Sequence, residues 1–152
     1  EAFAGKFAAV FQSDDPITSP ATTWTQIAEV RDIGEIPMSR TLLDATYHDK
    51  SIWPERIPGM AEVPDIDLEI NFMKTNTGQL DWKDLYDLWE AQVPKWFKIE
   101  LYTDTKATPT HTFAFSFVAY VSRVGVTAII DDLVTSDVRL STTDPISYSE
   151  AN

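Results

Sequence analysis

Two alternating runs, KWFKIELY (95–102) and TFAFSFVAYV (112–121), stand nine residues apart in this 152-residue chain. In the first, Phe97, Ile99 and Leu101 alternate with Trp96, Lys98, Glu100 and Tyr102; in the second, Phe113, Phe115, Phe117, Ala119 and Val121 share one side. Successive side chains of a strand point to opposite faces, so each run reads as a strand with one apolar face. Parallel neighbours need a crossover of about a dozen residues or more, usually a helix. The short gap leaves no room for one, and the spacing points to an antiparallel β domain.

DIDLEINF (65–72) is the most regular strand: Ile66, Leu68, Ile70 and Phe72 take one face, Asp65, Asp67, Glu69 and Asn71 the other. WTQIAEVRDI (24–33) and VTSDVRLS (134–141) read as less regular strands. One helix interrupts them. In LDWKDLYDLWEAQV (80–93), Trp82, Leu85, Tyr86, Trp89 and Val93 follow the helical repeat. Asp81 and Asp84 suit its start, and Pro94 its stop. The expected core therefore contains Trp82, Leu85 and Trp89 from the helix, with Phe113, Phe115 and Phe117 from the aromatic strand.

Residues 1–23 end in the polar, proline-broken SDDPITSPATT and read as an N-terminal arm; residues 141–152 read as a C-terminal tail. Residues 34–64 hold four prolines and no sustained period, which predicts a long loop. Loops beyond about 15 residues are uncommon in compact domains and are usually functional or disordered. Leu42, Leu43, Tyr47, Ile52, Trp53 and Met60 are too many large apolar groups for a solvated linker, so this loop needs a surface, on its own domain or on a neighbouring subunit. The whole chain fits one domain, since a chain near this length can bury roughly 70% of its unfolded surface.

Lys and Arg total 12 against 24 Asp and Glu, a formal charge of −12 that argues against gripping nucleic acid through its phosphates. There is no cysteine, and hence no disulfide, zinc–thiolate site or thiol nucleophile. No apolar run approaches the roughly 20 residues that span a bilayer, so no membrane partner is expected. With two histidines, no Gly-rich phosphate loop and no G-x-S-x-G, the usual catalytic sets are missing. His48 beside Asp49 reads as a loop pair, and Asp131 with Asp132 as a turn between strands. DIDLEINF lacks the glycine and the looped backbone of an EF-hand calcium site. The expectation is no enzyme, no cofactor and no bound metal.

The row Asp65, Asp67, Glu69 could be the wet face of an amphipathic strand. Aspartate is depleted in strands, however, and residues two apart on one face lie about 7 Å from each other, so the row costs mutual repulsion. That cost points to a use for the charge itself.

Several fragments, read in order over roughly residues 5–140, resemble the major tail tube protein of long-tailed bacteriophages, the lambda-type tube subunit family. KFAAVFQ followed by TTWTQIAEV is similar to the family's opening, and SRTLLDATYHD to its S-R-x-x-x-D-x-T segment, here Ser39, Arg40, Asp44 and Thr46. ERIPGM resembles its acid-x-I-P-G turn, DIDLEINF the strand ending in N-F, and TFAFSFVAYV the aromatic strand that often closes in G-Y-V. Ala119 stands in place of that Gly, and the ending DPISYSEAN departs from the family's glycine-containing end.

The resemblance implies an antiparallel β-sandwich or barrel flanked by one helix, with a long loop and an extended N-terminal arm. It implies homo-hexameric rings stacked into a tube, with tape measure, tail tip and terminator proteins as further partners. DNA would pass through the bore without sticking. The expected location is the virion tail, with assembly in the host cytoplasm. Asp65, Asp67, Glu69 and Glu100 are assigned to the lumen, and Arg40, Asp44, Thr46, Tyr47 and Trp53 to loop contacts between subunits. The competing reading is a carbohydrate-binding β-sandwich module, which five tryptophans and an acidic surface would also suit. A third, an acidic glycosidase, needs two facing carboxylic acids, and the sequence identifies none.

Overall fold

The computed structural model describes residues 8–28, 30–44, 56–62, 65–72, 79–102, 112–128, 130–132, 134–143 and 145–151, with 39–44, 56–62 and 151 described by their backbone alone. Among these residues ten strands and one helix follow in the order β1 (Ala8–Ser13), β2 (Thr25–Gln26), β3 (Val30–Ile33), β4 (Ser39–Asp44), β5 (Arg56–Glu62), β6 (Ile66–Asn71), α1 (Trp82–Ala91), β7 (Lys95–Tyr102), β8 (Thr112–Thr127), β9 (Thr135–Thr142) and β10 (Ser147–Ala151). Eight of the strands form one antiparallel open sheet in the order β2-β1-β7-β8-β9-β6-β3, with β10 added beside β8. Among the described residues no helix is long and apolar enough to cross a membrane.

β8 organises the sheet. Its first half pairs with β7, Phe117 opposite Phe97, while β10 and β9 share its other edge end to end: Tyr148 lies opposite Phe115, and Leu140 opposite Val121. Period two then sorts the side chains. Phe97, Ile99, Phe117, Ala119, Val121, Val138, Leu140, Ile66, Leu68 and Ile70 are buried in one cluster that also takes in Val10 and Leu85. The sheet is curled rather than flat, because β3 at one end of the strand order and β1 and β7 near the other line a common cleft.

The helix starts at a capping box: Asp81 accepts from the backbone N–H groups of Lys83 and Asp84, and the Asp84 side chain accepts from the Asp81 N–H. It ends where Gln92 turns left-handed (φ 55°), just before Val93 and Pro94. Leu85 is fully buried against the sheet.

Five expectations need correction. Ala8–Ser13, assigned to an arm, is a sheet strand with Ala9 and Val10 buried; it lies between β2 and β7, covered on both faces, so it shows no alternation. The strand expected over 24–33 is two, because the chain leaves β1 after Ile27: the Ile27 N–H still donates to Val10 O of β1 (2.9 Å), whereas the Ala28 N–H turns to Leu80 O (2.8 Å). Within the expected loop 34–64, β4 and β5 pair as an antiparallel ribbon, its period hidden by a register shift between Arg40 and Leu42. The tail after 141 holds the last residues of β9 and the added strand β10.

The fifth concerns the core. Phe117 and Leu85 are fully buried, but Trp89 is 41% exposed and Phe72 43%, while Trp82, Phe113 and Phe115 are half-buried. The apolar arc of the helix is wider than the sheet covers. Leu85 meets the sheet; Trp82, Tyr86 and Trp89 lie about 40–100° further round and stack along the flank with Phe72, centroid to centroid at 4.7, 5.2 and 5.7 Å. Phe113 and Phe115 lie near the start of β8 and are covered by Tyr148 at 5.8 and 5.6 Å.

Candidate functional site

The polar face of β6 is set by its partners on both sides. Asp67 lies opposite Arg139 of β9, Glu69 opposite Asp137, and on the other edge Glu69 lies opposite Asp32 of β3. One strand beyond, Arg123 of β8 lies opposite Arg139 and Gly125 opposite Asp137. The outward surface of these four strands thus gathers the carboxylates Asp32, Asp65, Asp67, Glu69 and Asp137 with the guanidinium groups of Arg31, Arg123 and Arg139. Most of them line a shallow depression of about 270 Å3.

Arg139 clamps the row. Its Nε donates to Asp67 Oδ1 at 2.8 Å and lies 3.8 Å from Asp65 Oδ2. The hydrogen bond to Asp67 and that residue's charge, with a lesser contribution from Asp65, hold the guanidinium above its ordinary pKa range against a small desolvation cost. The Asp65 carboxylate also accepts from the Ser141 hydroxyl at 2.7 Å, and Arg31 lies 3.4 Å from Glu69. Asp65 and Asp67 remain open to solvent, Glu69 partly so. Gly34 closes the far edge: its N–H donates to Asp67 O at 2.8 Å, and a Cβ there would stand 2.9 Å from that oxygen.

Asp65, Asp67 and Glu69 are therefore brought together as expected. Glu100 is not part of the group. It lies on β7 opposite Ala114, nine positions along β8 from Arg123, or about 30 Å. Its environment differs too: Lys98 Nζ is 2.7 Å from Glu100 Oε1, the Tyr102 hydroxyl donates to Oε2, and the Glu100 side chain is only 17% exposed. Lys98 Nζ also sits 4.9 Å from the Phe11 ring centroid and 4.7 Å from that of Trp24, so this is a closed clasp over β1 and β7.

The arginines leave no trace in β6 itself. Their signal was present in VTSDVRLS, where Asp137, Arg139 and Ser141 alternate as the acids of β6 do. Of the loop residues, Arg40 lies opposite Ala61 and Asp44 opposite Arg56 in the β4–β5 ribbon; Thr46, Tyr47 and Trp53, like His48, are outside the described residues. Asp131, left-handed at φ 68°, marks the turn between β8 and β9 as expected. Of the described tryptophans, Trp24 covers Lys98, Trp96 Nε1 donates to Pro16 O, and Trp82 and Trp89 stand either side of Tyr86 in the row that begins at Phe72.

No family model and no curated protein matches the sequence. Solved structures do match the fold. The tail of an empty gene transfer agent particle, determined with C6 symmetry, superposes with a TM-score of 0.70 at 13% identity, over 97% of this chain and 99% of that one. A sheath–tube complex of an extracellular contractile injection system in its extended state gives 0.69 at 14% identity, covering 99% and 93%. The SPP1 tail tube gives 0.62 at 11% identity, covering 98% and 78%. The chain has the fold shared by these tail and tube subunits over nearly its whole length, and the comparisons lend the sugar-binding alternative nothing.

Proposed function

We propose that this chain is the structural subunit of a phage-type tail tube, in which six copies form a ring, rings stack, and the bore conducts DNA. The observation that carries the reading is the end-to-end match to the gene transfer agent tail, 97% of this chain against 99% of that one. Its role would be structural rather than catalytic, in the virion tail, after assembly in the host cytoplasm. Other tail proteins (tape measure, tip and terminator) would meet the ends or interior of the tube.

In this reading the outward face of β6 lines the bore. Duplex DNA carries one phosphate charge per ~1.7 Å, so a wall of lysines would release many counterions at once and act as a brake. A carboxylate and a phosphate ~8 Å apart in water repel by only ~0.5 kcal/mol before screening, which over many copies gives a smooth wall without a binding minimum. The arginines refine this account. Arg139 is held by Asp67 and Arg31 lies 3.4 Å from Glu69, so part of their charge is offset within the wall itself. Five carboxylates against three guanidinium groups leave the face negative. Glu100 has no part in it. The β4–β5 ribbon, which carries Arg40 and Asp44, would contact neighbouring subunits, as would Thr46, Tyr47 and Trp53 of the sequence between its two strands.

Negative-stain electron microscopy of the purified chain tests the proposal. Hollow rings or tubes appearing with rising concentration are the expected result; a chain that stays monomeric at millimolar concentration would overturn it. Deleting residues 40–57 should leave a folded protein that forms no tubes.

A further inference from the structure

The outward face of β8, β9, β6 and β3 has one cation left over. Among the described residues Arg31, Lys83, Lys95, Lys98 and Arg139 each stand within ion-pair distance of a carboxylate; Arg123, exposed on this face, has neither an ion pair nor a hydrogen bond. Its side chain runs along its own strand, with Nε and Nη2 3.7 Å from where a Gly125 Cβ would stand. Gly125, Asp137, Glu69 and Asp32 lie opposite one another in turn across the four strands, so the guanidinium sits at one end of a row and Asp32 at the other. Asp32 is exposed and likewise without an ion pair or hydrogen bond. Three strand spacings, about 14 Å, separate the two ends, and neither group serves the other within one copy.

Both ends of the row are open edges. The pairing of β7 with β8 stops at Ala119, and the helix residues Trp89 and Gln92 share a depression with Tyr120 and Ser122. From Arg123 to Thr127 no described strand takes that side of β8, and none lies beyond β3, which ends the strand order. Such edges present unpaired N–H and C=O groups, a template for another chain. Successive strands of the four run in opposite directions, so β3 of one copy beside β8 of another would continue the antiparallel order.

We propose that Arg123 of one copy pairs with Asp32 of the next, where the β8 edge of one meets the β3 edge of the other. The proposal rests on the tube reading, which supplies the second copy. A cation at one edge and an anion at the other make a heterologous contact, which propagates from copy to copy and closes into a ring rather than stopping at a dimer. It also gives the unpartnered guanidinium a carboxylate within the wall.

Charge reversal tests it. Arg123→Glu sets two carboxylates together at each junction, and Asp32→Arg two guanidinium groups. Each chain alone should keep the parent's circular dichroism spectrum and need about tenfold more protein to form tubes, measured by sedimentation and negative stain. An equal mixture of the two variants restores opposite charges at every junction of an alternating ring, so it should assemble near the parent's concentration, as should the double variant. Should a reversal alter the spectrum, Arg123→Gln and Asp32→Asn carry the test: each should weaken assembly, and the two together no more than either alone. Folded variants that assemble like the parent, a mixture no better than its folded parts, or additive neutral variants would overturn this pair and leave the tube reading standing. A parent chain that never assembles would overturn both.

Discussion

Glu100 and Asp67 occupy the same kind of position, outward on a strand of one continuous sheet, and are used in opposite ways. Glu100 is enclosed by Lys98 and Tyr102, with Phe11 and Trp24 over the lysine. Asp67 holds Arg139 in the open, its side chain 62% exposed. A charge pair removed from water depends strongly on its partner, because loss of one member strands the other; an exposed pair is screened and contributes little to stability. The clasp thus reads as a fastening of β1 and the Trp24 segment to β7, and the open row as the surface that the proposed tube would turn to its bore.

Lys98→Ala should show the largest effect. It leaves Glu100 enclosed without its cation and removes the charge over two rings, so about 2–4 kcal/mol should be lost in urea denaturation. A loss near zero would make the two carboxylates equivalent and dissolve the comparison. Next comes pH. Burial, and then the hydrogen bond to Glu100, push the Tyr102 hydroxyl well above its ordinary value of 10.0. The folded state then keeps a proton that the unfolded chain loses, so the contribution is full below pH 10 and falls as pH rises further, by at most about 1.4 kcal/mol per unit. Tyr102→Phe should flatten that slope in thermal melts recorded from pH 9 to 11.

Asp81→Ala, in neither region, supplies a scale: removing the helix cap should cost about 1 kcal/mol by the same denaturation assay. Smallest of all, Arg139→Ala should leave the denaturation midpoint unchanged within error while making the exposed face more negative. Replacing Asp67 and Glu69 by lysine should likewise spare the fold, but assembled tubes should then retain DNA at low salt and release it as salt rises, measured by co-sedimentation.

Legibility in the sequence followed how much of each element's environment was local. β6 could be read from eight residues because one of its faces is buried and the other wet, and the helix could be placed from its spacing and its acidic start. β1 was hidden because both its faces are covered, and β4 with β5 because a register shift breaks the alternation. The acids Asp65, Asp67 and Glu69 were legible as one face; their arginine partners were not, since pairing across β9 and β3 is set by register rather than by neighbours in sequence. Trp89 was misplaced because spacing shows which helix positions are apolar, not how far round the helix the sheet reaches.

The most direct measurement is a cryo-EM map of the assembled chain at side-chain resolution. The account predicts a hollow ring with Asp65, Asp67 and Glu69 of every copy turned to the bore and Glu100 closed off on its own subunit. A ring that turns those three acids to its outer wall, or an assembly with no bore, would contradict it.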